Sequence, residues 1–239
     1  MEKIKNAVIF LLFTYPFGIF LGISFWLFRF LGLAKVYGWK NFPSRPKGIL
    51  AVSNHPSLLE PIILIGLFFH KFFWRPFKYA PWNMPDKKNY YNNPLFYLMR
   101  PRLIPVDRGD KHSEVRALIQ AKRVLKAGGV IIIFPEGGRT SSEEPSLRSR
   151  GGEKMRSFKP GFAWLAIKTG ATVLPLWVRR TDQVLPNGAR VSYLYFLRFW
   201  KRVTIRLGQP LRFDETASVE AVAEEVQAAV LGLADQRGD

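Results

Sequence analysis

The residues best suited to chemistry in this chain stand together at Asn54-His55-Pro56-Ser57-Leu58-Leu59-Glu60. A histidine followed five residues later by a carboxylate can serve as an oriented general base, the carboxylate holding the imidazole tautomer and stabilising the imidazolium. A plainer reading is open on the same residues. Ser57 and Glu60 have capping-box spacing, so Glu60 could simply satisfy the Ser57 backbone N–H, with Pro61 in the first helical turn. A second cluster is Pro135-Glu136-Gly137-Gly138-Arg139-Thr140. Its two glycines let the backbone pass close to a ligand, and Arg139 can grip a phosphate through two parallel hydrogen bonds. A Gly-rich turn with solvated charges would have the same composition. Further cations, Arg108 and Lys159, follow or open structured runs.

These groups need elements to position them. The apolar runs Gly48–Val52, Val130–Phe134 and Thr172–Val178 read as strands covered on both faces. Each delivers polar residues at its end. A nearly all-apolar helix is expected over 62–74, and a loop with a short helix at Pro94–Met99 over 81–102. A strand is expected from Arg102, ending in a polar turn at Gly109. Ser113 should cap a helix whose apolar face holds Val115, Leu118, Ile119, Ala121 and Leu125, with Gly128-Gly129 stopping it. Residues 141–157 read as a mobile polar loop, 162–168 as a helix, 191–207 as a hairpin, and Ser218–Leu233 as an acidic amphipathic helix. Strands alternating with helices imply an α/β fold: a single domain with a mixed, mostly parallel sheet flanked by helices.

Composition narrows the function. The chain has no cysteine and three histidines (His55, His70, His112) without H-x-x-x-H spacing. Thiolate nucleophiles, disulfides and cysteine-ligated metals are therefore excluded, and no metal site is expected. His70 is expected to be structural or interfacial and His112 to lie on the surface. Residues 1–212 carry 35 basic and 11 acidic groups, a charge of +24 that favours anionic partners, either lipid headgroups or nucleic acid. No nucleic-acid motif accompanies that charge, so a nucleic-acid partner is not expected. Residues 7–28 contain no charge and would span about 33 Å as a helix, enough to cross a hydrocarbon core. Pro16 and Gly18 interrupt the run and both flanks are basic, so a helix pair dipping into one leaflet competes with a span. The expected organisation is a membrane-anchoring segment, 1–40, followed by a catalytic domain, 41–239.

Four stretches, taken in order, resemble the glycerolipid acyltransferase superfamily typified by 1-acylglycerol-3-phosphate acyltransferases. Asn54–Glu60 is similar to the family's N-H-x-x-x-x-D, with Glu60 in place of the aspartate. Val106-Asp107-Arg108 looks like its second block, and Phe134–Thr140 like its F-P-E-G-T-R-S. Phe158-Lys159-Pro160-Gly161 with Val173-Leu174-Pro175-Leu176 resembles the fourth, and Arg206–Leu211 a weaker tail. A lysine many members carry after the first helix is absent here, with Lys78 the nearest substitute.

The resemblance implies transfer of a fatty acyl chain to a lysolipid hydroxyl from coenzyme A or acyl carrier protein as thioester co-substrate, with no other cofactor. His55 would be the base and Glu60 its partner. Arg108, Glu136, Gly137, Gly138, Arg139, Thr140 and Lys159 would bind the acceptor, with Glu136 and Thr140 either ordering their loop or touching the glycerol. Oxyanion donors could come from the helix start or from Gly137-Gly138. The implied location is the cytoplasmic face of the inner or plasma membrane, among membrane lipids. Another acceptor, such as a lyso-aminolipid or glycerol 3-phosphate, and a non-catalytic membrane-tethered polyanion-binding protein are the alternatives.

Overall fold

Strands that are apolar on both faces can only be stable between two helical layers, and the chain builds that arrangement. The computed structural model describes residues 2–44, 48–140, 147–186 and 202–236. Two helices, α1 (Glu2–Ile9) and α2 (Tyr15–Phe30), lead into β1 (Ala34–Tyr37) and β2 (Ile49–Ser53). Next come α3 (Glu60–Leu67), α4 (Phe69–Phe72), α5 (Pro76–Tyr79), β3 (Trp82–Asn83), α6 (Lys111–Lys126) and β4 (Val130–Ile133). A small antiparallel hairpin, β5 (Leu147–Arg148) and β6 (Lys154–Met155), precedes α7 (Gly161–Thr169), β7 (Thr172–Arg179) and α8 (Thr181–Val184). The described chain ends with β8 (Val203–Leu207) and α9 (Val219–Gly232).

The main sheet runs β1-β8-β7-β2-β4-β3. Strands β7, β2, β4 and β3 are parallel, while β8 is antiparallel to β7 and parallel to β1. The sheet is thus mixed and mostly parallel, as expected. Its edge strand β1 falls within the segment 1–40 that composition sets apart. One face packs against α2, α3 and α4 through Phe25, Leu64, Phe68 and Phe72; the other packs against α6, α7 and α9 through Leu125, Phe162, Leu165 and Val226.

The N-terminal segment forms one helical run rather than a pair. A π-turn, Phe10–Thr14, joins α1 to α2, and the Tyr15 N–H donates to the Phe10 carbonyl. This wider turn stands immediately before Pro16, whose ring and missing N–H disrupt an ordinary α-ladder. The proline is absorbed by a bulge instead of breaking the helix. From Ile4 to Phe30 the run is long and apolar enough to cross a membrane. One side is docked on the domain, however. A Cβ on Gly22 would collide with Phe69, and one on Gly66 with Phe25, so these glycines let α2 approach α4 and α3 closely. The other side leaves Leu12, Phe20, Ile23 and Phe30 exposed, with Trp74 and Phe77 also exposed after α4.

Several local expectations are corrected. The apolar helix over 62–74 is divided at Phe68, between α3 and α4. Arg102–Gly109 forms only isolated bridges, Asn83 to Leu103 and Asp86 to Val106, and Pro94–Arg102 is a 3₁₀ helix. Asp110, not Ser113, caps α6 by accepting from the His112 N–H; Ser113 Oγ instead accepts from the Asp107 N–H. The buried face of α6 is Ser113, Ala117, Ala121 and Leu125, with Val115 and Ile119 exposed. Of the hairpin expected over 191–207, the first part lies outside the described residues, and the second is β8. The C-terminal helix is capped by Ser218, whose Oγ accepts from the Ala221 N–H.

Candidate active site

The carboxyl end of β2 is tied down before it reaches its histidine. The Asn54 amide donates to the Val178 carbonyl at 2.8 Å and accepts from the Val178 N–H at 2.7 Å, replacing a backbone ladder pair. His55 follows, half-buried, with its backbone N–H donating to Glu136 Oε1 at 2.7 Å and its carbonyl accepting from the Thr140 N–H at 3.0 Å. The imidazole stacks on Phe134 at 4.4 Å between centroids, and Nδ1 lies 2.8 Å from Glu60 Oε2.

Glu60 has no exposure. Its oxygens also accept from the Ser57 N–H at 3.0 and 3.1 Å and from Ser57 Oγ at 2.9 Å. The plain and the chemical readings therefore hold together: the carboxylate ties the turn and faces the imidazole. The longer side chain is accommodated by folding back over that turn, and helix α3 begins only at Glu60. In the tautomer that donates Nδ1–H to Glu60, Nε2 keeps its lone pair. Nε2 has no hydrogen-bond partner among the described residues.

The loop after β4 supplies the second half of the site. Glu136 is buried, and its oxygens accept from the His55 N–H, from Thr140 Oγ1 at 2.6 Å and from the Arg156 N–H at 2.9 Å. Burial raises its pKa, against those three hydrogen bonds and the nearby His55, which lower it. Of the two roles open to Glu136 and Thr140, these contacts are those of loop ordering. Gly137 adopts a φ of +70°, and the Lys159 side chain lies across it; a Cβ there would meet Lys159 Cε at 2.8 Å. At Gly138 a Cβ would sit 2.6 Å from Arg156 Nη1 and 4.0 Å from Arg108 Nη1. Burial raises the pKa of Tyr90, and Arg139 and Arg108 lie close enough for their charges to oppose that rise. Four cations, Arg108, Arg139, Arg156 and Lys159, thus surround the glycine loop beside His55.

The expected residues His55, Glu60, Arg108, Glu136, Gly137, Gly138, Arg139, Thr140 and Lys159 are all brought to this one edge. Sequence reasoning missed Arg156, Tyr90 and the clamping role of Asn54. Arg156 sits in a stretch that reads as polar loop, and only its backbone bond to Glu136, twenty residues away, fixes it. Lys78 does not replace the family's lysine: its carbonyl lies against Gly129, at the start of β4 and the opposite end of the sheet from His55. His70 is also remote, packed edge-on against Trp39 and Phe42 at 5.0 and 4.6 Å. His112 is exposed.

The family model described as Acyltransferase matches residues 34–179, which include every residue of the site. The chain is 29% identical over 157 residues to a chloroplastic 1-acyl-sn-glycerol-3-phosphate acyltransferase of Arabidopsis thaliana, taking in 65% of this chain and 38% of that protein. It is 30% identical over 163 residues to the 1-acyl-sn-glycerol-3-phosphate acyltransferase of Borreliella burgdorferi, covering 67% and 56%. The chain thus spans less than two thirds of the length of these relatives. The crystal structure of the 1-acyl-sn-glycerophosphate acyltransferase of Thermotoga maritima matches over the full length of both chains, with a TM-score of 0.57 and 20% identity, a likeness of fold.

Proposed function

Because the chain belongs to the acyltransferase family, we propose that it moves a fatty acyl chain from a thioester to the hydroxyl of a lysophospholipid, converting 1-acylglycerol 3-phosphate to phosphatidate. The observation that carries this reading is the 2.8 Å His55–Glu60 pair, with Nε2 open, beside four cations around Gly137-Gly138. His55 Nε2 takes the hydroxyl proton as the oxygen attacks the thioester carbonyl. Collapse of the tetrahedral intermediate breaks the C–S bond, and the imidazolium returns its proton to the departing thiolate. Glu60 stabilises the imidazolium, and the arginines and Lys159 hold the acceptor's phosphate. The Gly137 and Ser57 N–H groups are already committed to Phe134 and Glu60. The Gly138 N–H, without a partner among the described residues, is one donor still open to the oxyanion, and the Leu58 N–H at the helix start is another.

The thioester, on coenzyme A or acyl carrier protein, is the only co-substrate this chemistry needs. Exposed Phe20, Ile23, Phe30, Trp74 and Phe77 support attachment at a membrane surface, where lysolipid and product reside, and the basic body supports a cytoplasmic anionic leaflet. The test is thioester release by detergent-purified protein against lysophosphatidate and phosphate-free monoacylglycerol. Activity should be lost in His55→Ala and should favour the phosphorylated acceptor. Full turnover in folded His55→Ala sinks the mechanism, and equal use of both acceptors sinks the phosphate assignment.

A further inference from the structure

Five cations away from the catalytic loop converge on one cavity. Lys35, Arg179, Arg180, Arg202 and Arg206 line a space of about 220 Å³ together with Tyr37. Glu153 offsets the charge of Arg179, its Oε1 lying 2.6 Å from Nε. Arg206 is 8% exposed, yet its Nε and Nη1 are buried without a hydrogen-bond partner. Its guanidinium lies 5.3 Å from the Tyr37 ring centroid, a contact that satisfies no in-plane N–H. Burying a charge with idle donors is costly unless an acceptor completes them.

The backbone adds an independent mark. Arg180, at φ +68°, and Arg202, at φ +59°, are the two non-glycine residues with left-handed backbone among those described, and both line this cavity. Such conformations are disfavoured for a side chain like arginine and persist where the surroundings impose them, often at functional sites.

Strand register says which way the cavity faces. Trp177, Arg206 and Tyr37 align across β7, β8 and β1, as do Arg179, Thr204 and Lys35. Aligned residues share a face of the sheet, and Trp177 belongs to the core beneath α6, α7 and α9. The cavity therefore opens on the side opposite α1, α2 and their exposed apolar residues. That position lies away from the apolar helix surface and is open to a water-soluble anion. It also shares the sheet edge of the catalytic histidine, because Arg179 directly follows Val178, which Asn54 clamps beside His55. Strands β8 and β1 stand two and three places from β2, roughly 10–14 Å at ordinary strand spacing.

We infer that this cavity binds the phosphate groups of a nucleotide-bearing acyl thioester of the coenzyme A type. The inference rests on the acyl transfer proposed above. Arginine forks match phosphate geometry, and a pantetheine arm can bridge the distance so that the thioester carbonyl reaches His55. Acceptor and donor then meet at the same edge of the sheet, beside His55.

The experiment is calorimetric titration of coenzyme A into the full chain, comparing wild type with Arg180→Gly/Arg202→Gly. Glycine accepts left-handed backbone, so the double variant keeps its fold, which circular dichroism and thermal melting verify. Coenzyme A affinity should fall by about a hundredfold on losing two charge-assisted contacts. The KM for acyl-coenzyme A should rise by more than kcat falls, and adenosine 3′,5′-bisphosphate should compete in the wild type. Unchanged coenzyme A affinity overturns the inference. So does loss of binding to phosphatidylglycerol vesicles in its place, or use of an acidic carrier protein with no measurable coenzyme A binding. The two proposals fail separately. Wild type that binds coenzyme A through these arginines but acylates no lysolipid refutes the reaction and spares the cavity; active enzyme indifferent to the double substitution does the reverse.

Discussion

Replacing Glu60 by glutamine separates the turn-tying role of this residue from its role toward His55. In the native site, Oε2 lies 2.8 Å from His55 Nδ1, and the carboxylate also takes the Ser57 N–H and Oγ–H. Glutamine has the same length, and its carbonyl oxygen can keep both Ser57 donors. Its NH₂ group must then face Nδ1, because the flipped amide would set NH₂ against the Ser57 N–H. An NH₂ donor imposes the tautomer with Nδ1 bare and Nε2 protonated, which leaves no lone pair to accept the hydroxyl proton. General-base catalysis contributes about 10²–10⁴, so kcat should fall by that factor, equivalent to about 2.7–5.4 kcal/mol. Stability should change by only about 1 kcal/mol, since the turn's hydrogen bonds survive and a buried charge is removed. The measurement is thiol release from acyl-coenzyme A with lysophosphatidate, alongside denaturant unfolding of both proteins. A folded Glu60→Gln enzyme within about threefold of wild type would refute the reasoning and leave Glu60 as a turn residue only.

Two further outcomes are expected. Gly137→Ala would force a φ of +70° on an L-residue and drive a Cβ to 2.8 Å from Lys159 Cε. It should cost about 1–2 kcal/mol of stability and raise the KM for a phosphorylated acceptor, and an unaltered Tm and KM would contradict the placement of Lys159. His70 has its pKa lowered from 6.5 to about 4, chiefly by burial and then by Lys71. The unfolded chain therefore binds this proton more readily, so stability present above pH 6.5 is lost as pH falls toward about 4 and then levels off. His70→Phe, which keeps an aromatic beside Trp39 and Phe42, should flatten that acid limb in melting curves. An identical pH profile would exclude His70 as its source.

Much of this molecule is legible in short-range pattern. The apolar runs at 49–52, 130–133 and 172–178 announce strands covered on both faces, because unbroken hydrophobicity at that length has few other uses in such a chain. His55 and Glu60 declare themselves by spacing within one turn, and Arg108, Arg139 and Lys159 by their position at the ends of runs. Near-neighbour sterics and hydrophobic period act over a few residues, so they can be read from a few residues.

Tertiary structure alone decided the remainder. The clamp of Asn54 on Val178 joins residues 124 positions apart, and the grip of Glu136 on the His55 N–H joins residues 81 apart. Each satisfies a buried backbone group, and which side chain does so depends on the path of the whole chain. The same dependence brings Arg156 into the site, removes Lys78 to the opposite end of the sheet, and lets Pro16 pass through a π-turn within one docked helix. It also gathers Lys35, Arg179 and Arg206 from three strands, and Arg180 and Arg202 from just beyond two of them, so that five charges scattered through the sequence line one cavity.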